Sequence, residues 1–337
     1  MPSEDAQQAD PLFLRDLNLA QPRLGAEVIY ATDDFFAPKE RLIEPTKPIF
    51  IDGKYDDHGK WMDGWETRRR REGDFDRCVL RLGQPTVVRG VDIDTAHFNG
   101  NHPEAASIDA CDAAEPPDSD SAWWQLVPRM PLSGNCHHAV EILEERPCSL
   151  LRLTIFPDGG VARLRVFGEV VCDWASRDPS EVVDLASVAN GGRALLCSDE
   201  HFGSRHNLLM PGRGVDMGDG WETRRRRGPG HDWVIVRLGH PGLVERIEID
   251  TAHFKGNYPD RCSVQAASIA AEEDVDFARE SGSWPELLGV EKLEADSEHA
   301  FEEGVRAAGI VSHVRLNIFP DGGISRLRLF GRVAPAP

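Results

Sequence analysis

The nine residues Asp63-Gly-Trp-Glu-Thr-Arg-Arg-Arg-Arg71 occur a second time, unchanged, as Asp219-Gly-Trp-Glu-Thr-Arg-Arg-Arg-Arg227. Nine identical residues in a row are not expected by chance, so the chain contains an internal repeat. The two copies start 156 positions apart (219 − 63), which is far longer than one solenoid or propeller unit. Each copy is therefore expected to be a whole domain, and 337 residues fit two such domains.

The repeat continues on both sides of this stretch. Ile93-Asp-Thr-Ala-His-Phe98 returns at 249–254, and Ile155-Phe-Pro-Asp-Gly-Gly160 returns at 318–323. The first copy carries about ten extra residues after Pro45, and the second about seven extra in its late acidic part. We predict an N-terminal arm over residues 1–16, a first repeat over 17–172, a linker over 173–180 and a second repeat over 181–333.

Each copy consists mostly of short apolar runs bounded by turn residues, which is typical of β-strands. Leu150–Phe156 and Val161–Phe167 flank a Pro-Asp-Gly-Gly turn, and this pattern predicts a β-hairpin with positive φ at its tip. Residues 47–53 are expected to form a surface loop or short hairpin, and only 272–280 and 286–304 look helical or irregular. Many short strands with almost no helix predict an all-β protein of two tandem jelly-roll β-sandwich domains.

Charge and cysteine usage restrict the class of partner and the compartment. A net charge of −19 argues against nucleic acid or an anionic membrane as the main partner. The seven cysteines are odd in number, contain no Cys-x-x-Cys pair and do not match between the copies. This favours reduced thiols in a cytoplasmic protein over a disulfide framework or zinc site. The polar N-terminus shows no secretory signal, and no apolar run is long enough to span a membrane.

His97 and His253 follow a strand in each copy, where ligand groups are often mounted. One hypothesis makes them general acid–base groups or metal ligands. The other makes them structural, holding the loop to Asp94 or Asp250. The same loops continue to Asn101 and Asn257, which either cap a turn or contact a ligand. The loops also differ, because the first copy has Asn99 and His102 where the second has Lys255 and Tyr258.

Glu66 and Glu222 lie next to the arginine runs. They either form ion pairs with a neighbouring Arg or serve as carboxylates for proton transfer. Eight arginines in two runs exceed the needs of structural pairing, and guanidinium is suited to bidentate recognition of an anionic ligand. If the segments are extended, Trp65, Thr67 and Arg69 share one face, and which face is buried cannot be read from the pattern. The Phe-Pro-Asp-Gly-Gly turn is interpreted as structural, and no motif of a nucleophilic Ser or Cys is present.

Together these segments resemble one family, allantoicase. The resemblance is carried by Asp-Gly-Trp-Glu-Thr-Arg-Arg-Arg, by residues 249–259 and 315–328, and by Phe35–Leu42, and it runs from about Leu17 to Gly331. It implies duplicated jelly rolls similar to galactose-binding-like domains. It also implies a hydrolase that converts allantoate to ureidoglycolate and urea in purine degradation.

Allantoate carries a carboxylate on a carbon that bears two ureido groups, so expelling urea requires a proton for its nitrogen. We assign that role to His97 or His253, assisted by Glu66 or Glu222; replacing His253 with Ala should then lower turnover at least about 10²-fold. The remaining candidates are substrate-binding residues: Arg68, Arg70, Arg224, Arg226, Lys255 and Asn257.

Several alternatives stay open at this point. The chain is expected to form a homo-oligomer, and the site is expected in either copy or where domains or subunits meet. A divalent metal ion is an open alternative, because metal-ligating residue types are present but no spacing requires one. The competing function classes are a ligand- or carbohydrate-binding module, since fold alone does not give function, and a hydrolase for another ureido acid.

Overall fold

The computed structural model describes residues 11–70 and 73–335. The chain divides into two compact units, Met1–Val171 and Cys172–Pro337. Most of the predicted N-terminal arm, residues 1–10, lies outside the described residues. Within the rest of the arm, Leu12–Arg15 form a 3₁₀ helix whose Phe13 is buried and packs on Phe167.

The first unit is built from β-strands joined by turns and short 3₁₀ helices. Its strands are β1 Glu27–Ala31, β2 Tyr55–Asp56, β3 Gly59–Lys60, β4 Trp65–Glu66, β5 Asp76–Asp94, β6 Ala105–Cys111, β7 Trp124–Pro131, β8 His137–Glu141, β9 Cys148–Phe156, β10 Gly160–Val161 and β11 Arg163–Val170. Its further 3₁₀ helices are Pro22–Leu24, Lys39–Ile43 and Asp120–Ala122.

One long strand, β5, organises the first unit. Its first half pairs with β1 and β9, and its second half pairs with β8 and β11, always antiparallel. β9 continues the first layer through β6 to β7. Leu80 and Ile93 from the two halves of β5, Leu153 from β9 and Val166 from β11 are at most 1% exposed and belong to one core. Each such side chain contributes about 1.5–3 kcal/mol by burial, and this core closes a β-sandwich.

The second unit repeats this arrangement. Its strands are β12 Val183–Asp184, β13 Arg193–Cys197, β14 Trp221–Glu222, β15 Asp232–Asp250, β16 Arg261–Ala267, β17 Glu286–Lys292, β18 Glu298–Phe301, β19 Val311–Phe319, β20 Gly323–Ile324 and β21 Arg326–Val333. β15 plays the part of β5, pairing with β13 and β19 along its first half and with β18 and β21 along its second. Its helices are Trp174–Ser176, Val188–Asn190, Arg205–Leu209, Met217–Asp219, Glu272–Asp274, Phe277–Glu280 and Ser281–Ser283, of which Phe277–Glu280 is α-helical.

The prediction of an all-β protein with two jelly-roll domains is confirmed, but the predicted hairpin around Pro-Asp-Gly-Gly is wrong. β9 pairs with β5 and β6, and β11 pairs with β5 instead of β9. The turn therefore carries the chain from one layer to the other, and Gly160–Val161 pairs with Trp65–Glu66 on the way. A local pattern encodes the turn but not the partner of each flanking strand. The positive φ is present at Gly159, with φ 136°.

The prediction for residues 286–304 is also wrong, because they contain β17 and β18. Leu287 and Leu288 of β17 are buried, while Glu286 is exposed and Glu291 half-buried, so acidic composition concealed a strand. The prediction that residues 272–280 are helical or irregular is confirmed, because they contain two short helical turns. The extra segment of the first copy does form a short hairpin, β2–β3, just after residues 47–53. In the part of the chain that the structure describes, none of the helices is long and apolar enough to cross a membrane.

Candidate active site

In each unit the repeated motifs meet because β4 pairs with β10, or β14 with β20, at the end of the Pro-Asp-Gly-Gly turn. In the second unit Glu222 pairs with Gly323, and the N–H of Thr223 donates to the carbonyl of Gly322 at 3.2 Å. The N–H of Gly323 donates to the carbonyl of Asn257 at 2.8 Å. The arginine run, the turn and the loop after β15 are therefore fixed against one another by main-chain hydrogen bonds.

The glutamate of each arginine run is held by the asparagine of the loop. The side-chain amide of Asn257 donates to Oε1 of Glu222 at 2.5 Å, and that of Asn101 donates to Oε1 of Glu66 at 2.7 Å. Oε2 of each glutamate has no hydrogen-bond partner among the described residues. The expected ion pair with a neighbouring Arg is likewise not found there, so each carboxylate keeps one oxygen for a ligand.

Burial acts on the two glutamates differently. Glu66 is 9% exposed, whereas Glu222 is half-buried. Desolvation by burial raises the pKa of Glu66, and the amide of Asn101 and the charge of Lys60 oppose that rise. A carboxyl group with a raised pKa holds its proton to a higher pH, as a general acid requires.

A cavity of about 590 Å³ opens beside Glu222. This volume is sufficient for a small polar metabolite. Its walls come from the arginine run, the loop after β15 and the turn before β20. The lining residues are Phe202, Glu222, Thr223, Arg225, Arg226, Gly256, Asn257, Tyr258, Asp260, Pro320, Asp321 and Gly322.

The predicted arginines are mostly occupied by carboxylates. Arg68 pairs with Asp33 at 2.6 Å, and Arg224 pairs with Asp199 at 2.8 Å; both arginines are exposed and Arg224 does not line the cavity. Arg70 pairs with Asp76 at 2.8 Å. Arg226 does line the cavity. Its guanidinium pairs with Asp232, which is the residue of the second copy that corresponds to Asp76.

The sequence did not single out the arginine that lies between the two paired arginines of each run, Arg69 or Arg225. Arg225 lines the cavity, and within residues 11–70 and 73–335 neither Arg225 nor its counterpart Arg69 forms an ion pair. It also missed Asp158 and Asp321 of the turns, which accept the main-chain N–H of Arg70 at 2.7 Å and of Arg226 at 2.8 Å. These bonds hold the arginine run in place, and no local sequence signal identifies them.

The two histidines hold their loops in matching ways. His97 and His253 have φ of 68° and 69°. The ring Nε2 of His97 lies 3.3 Å from the carbonyl of Pro48, and that of His253 lies 2.9 Å from the carbonyl of Gly214. His253 is not among the residues that line the cavity, and neither is Lys255, which is 3.9 Å from Asp296. The acid–base role of the histidines and the substrate-binding role of Lys255 stay predictions.

The loop carboxylates take different partners from those expected. Asp94 and Asp250 accept the N–H of Ala96 at 2.7 Å and of Ala252 at 2.8 Å, instead of the histidine ring. Asp250 also pairs with Arg213 at 3.0 Å. Among the described residues, no group of three or more His, Cys, Asp or Glu side chains is placed to hold a metal ion.

A sequence model described as "Allantoicase repeat" matches residues 17–171 and 183–334. The chain belongs to the allantoicase family. It is 57% identical over 327 residues to probable allantoicase 2 of Burkholderia pseudomallei, covering 96% of this chain and 97% of that protein. It is 54% identical over 321 residues to a probable allantoicase of Pseudomonas aeruginosa, covering 95% and 97%. The crystal structure of allantoicase from Saccharomyces cerevisiae superimposes with a TM-score of 0.77 at 39% identity, covering 94% and 93% of the two chains.

Proposed function

We propose that this allantoicase-family chain hydrolyses allantoate to ureidoglycolate and urea, a step in the degradation of purines. One observation carries the proposal: among the described residues, each unit has a glutamate with an unbonded oxygen and an arginine without an ion pair on the same segment, and in the second unit both line one small cavity. Allantoate offers the matching groups, a carboxylate for the guanidinium and ureido nitrogens for the acid. Membership of the family and high identity along nearly the whole chain support the same reaction.

We assign the residues roles by what they contact. Arg225, or Arg69 in the first unit, binds the substrate carboxylate through two parallel N–H donors. Asn257 or Asn101 fixes the orientation of the adjacent glutamate. That glutamate transfers the proton. Arg226 and Arg70, each already paired with an aspartate, hold the arginine run in place.

The reaction balances with one carboxylic acid and one water. The acid donates its proton to the nitrogen of the departing ureido group, and the C–N bond breaks to release urea. The lone pair of the remaining ureido nitrogen forms a C=N bond at the same carbon. Water then adds to that carbon while the carboxylate takes up a proton from it, which gives ureidoglycolate and restores the acid. Microscopic reversibility makes one group serve as acid and then as base.

Because the proton transfer is now proposed for the glutamate, the role expected from the sequence for His97 or His253 is replaced by one of holding the loop, and His253→Asn is expected to keep turnover within about threefold of wild type. Asn tolerates the positive φ of 69°, and the N–H of residue 253 still donates to Oδ1 of Asp296 at 2.7 Å, so the loop is preserved without an imidazole. Urea release and the melting temperature are measured for His253→Asn and His253→Ala. A fall of about 10²-fold or more in a variant that melts like wild type would assign the proton transfer to the ring.

The experiment that tests the function is urea release from allantoate by the purified protein, before and after chelator treatment. Ureidoglycolate is assayed in parallel as the alternative ureido substrate. Release from allantoate that survives chelation supports the carboxylate site. Release that is lost and restored by one ion would place a metal in the mechanism. Folded protein that releases no urea from allantoate would contradict the proposal, and glycan binding would then support the binding-module alternative.

The compartment and assembly are further parts of this proposal. The seven cysteines are all free, although Cys78, Cys111, Cys148 and Cys262 are buried in the units, which supports a reducing, cytoplasmic location. A homo-oligomer is supported by exposed large apolar side chains, among them Ile49, Phe50 and Ile51 in consecutive positions. Light scattering with size-exclusion chromatography tests the assembly; a mass of one chain at micromolar concentration would contradict it.

A further inference from the structure

The two copies of the site differ because only the first carries the β2–β3 hairpin. This hairpin packs against the segment that flanks Glu66. The ring of His58 stacks on Phe35 with centroids 4.5 Å apart, and its Nδ1 is 2.5 Å from the carbonyl of Phe35. The N–H groups of Phe36 and Ala37 both donate to the carbonyl of Glu66 at 3.2 Å. The hairpin is thus connected to the main chain of Glu66 through residues 35–37.

The corresponding part of the second unit is open. Phe202 stands where the first copy has Phe36, and it is 64% exposed, whereas Phe36 is half-buried. The same contrast separates the glutamates, since Glu66 is buried and Glu222 half-buried. The sequence difference between the copies, about ten residues after Pro45, is therefore expressed as a cover over one site.

The hairpin also supplies a charge. Lys60 at the end of β3 is near enough to act on the carboxyl of Glu66. Other ionisable groups on the elements around Glu66 include Asp56, Asp57 and His58 on the hairpin, Asp33 and Asp34 before Phe35, His102 on the loop, Asp158 on the turn, and Arg68, Arg69 and Arg70 on its own segment. His102 is turned to the carbonyl of Asn99 at 2.9 Å, and Asp158 accepts the N–H of Arg70.

We propose that Glu66, covered by the hairpin, is the general acid of the reaction, and that Glu222 in the open site is not. This rests on the proposed hydrolysis of allantoate. Burial favours the protonated form of Glu66 before the reaction, as its raised pKa reflects. Once Glu66 has given its proton to the departing nitrogen, the amide of Asn101 and the charge of Lys60 stabilise the carboxylate that remains. Water addition returns the proton, so no other reactant is needed.

The matched pair Glu66→Gln and Glu222→Gln tests this assignment in the full chain. Glu66→Gln is expected to lower kcat at least about 10²-fold and leave KM within a few-fold. Glu222→Gln is expected to lower kcat at least about tenfold less than Glu66→Gln does. Circular dichroism and melting temperature confirm folding of both variants. Equal losses, or the larger loss with Glu222→Gln, would overturn the proposal. A wild-type protein without urea release from allantoate would overturn the proposed function itself.

The His58→Ala variant provides a second test that does not touch the carboxylate. A group with a raised pKa works as an acid below that pKa, so activity should fall as pH rises through it. Loosening the hairpin exposes Glu66 and lowers its pKa, and the alkaline fall in kcat should therefore move to lower pH. The matched variant His201→Ala in the second unit should leave the profile in place. An unchanged alkaline limb in folded His58→Ala protein would contradict the proposal that the hairpin covers Glu66. This variant tests the proposal even if Glu66→Gln does not fold.

Discussion

The Asp219→Asn variant is expected to lower the free energy of unfolding by about 3–5 kcal/mol. Asp219 is the first residue of the repeated stretch, and its Oδ2 accepts from Nη2 of Arg326 at 2.7 Å. Arg326 is 2% exposed and cannot lose its proton. The substitution removes the negative charge that Asp219 holds against a buried guanidinium, which costs far more than an exposed pair contributes.

Denaturant unfolding measures this effect, with Asp199→Asn as the matched control. Asp199 pairs with Arg224 at 2.8 Å, but that arginine is 67% exposed, so its loss should cost no more than about 1 kcal/mol. Asp63→Asn should repeat the larger effect in the first unit, where Arg163 is 1% exposed and lies 2.9 Å from Asp63. Similar losses of unfolding free energy for Asp219→Asn and Asp199→Asn would show that burial of the arginine does not determine how much the ion pair stabilises the fold.

The same aspartates show what the sequence could predict. Asp-Gly at 63 and 219 is a turn signal that the local sequence contains. The ion pair of Asp63 joins residues 100 positions apart in the chain, so no local pattern contains it. The strands were predictable because alternation of apolar and polar residues is also local. The Pro-Asp-Gly-Gly hairpin was predicted wrongly because β5 and β15, each 19 residues long, provide partners for both flanking strands.

The sequence predicted several residues of the candidate site but not the contacts between them. Glu66 and Asn101 were both candidates, yet their pairing depends on a loop that returns after 35 residues. The arginines at alternate positions were chosen as substrate ligands. In the structure β4 ends at Glu66, and Asp33 and Asp76 take Arg68 and Arg70. The residue between them, Arg69, is left without an ion pair among the described residues, and only the tertiary positions of those aspartates decide this.

The Arg69→Gln variant is therefore expected to lower kcat/KM for allantoate by about 10- to 150-fold, chiefly through KM. Charge-assisted hydrogen bonds of this kind contribute about 1.5–3 kcal/mol, and a carboxylate that does not react is bound equally in the ground and transition states. Arg69→Lys keeps the charge but not the two parallel donors, so it should recover only part of the loss.

Two matched variants separate this role from a general effect of positive charge. Arg68→Gln removes a neighbouring arginine that Asp33 already neutralises, and it should leave KM within about twofold. Arg225→Gln removes the counterpart of Arg69 from the cavity beside Glu222. If the working acid is Glu66, Arg225→Gln should affect kcat/KM far less than Arg69→Gln. The reverse order would place the reacting substrate beside Glu222, and equal KM effects for Arg68→Gln and Arg69→Gln would reduce the role of Arg69 to long-range attraction.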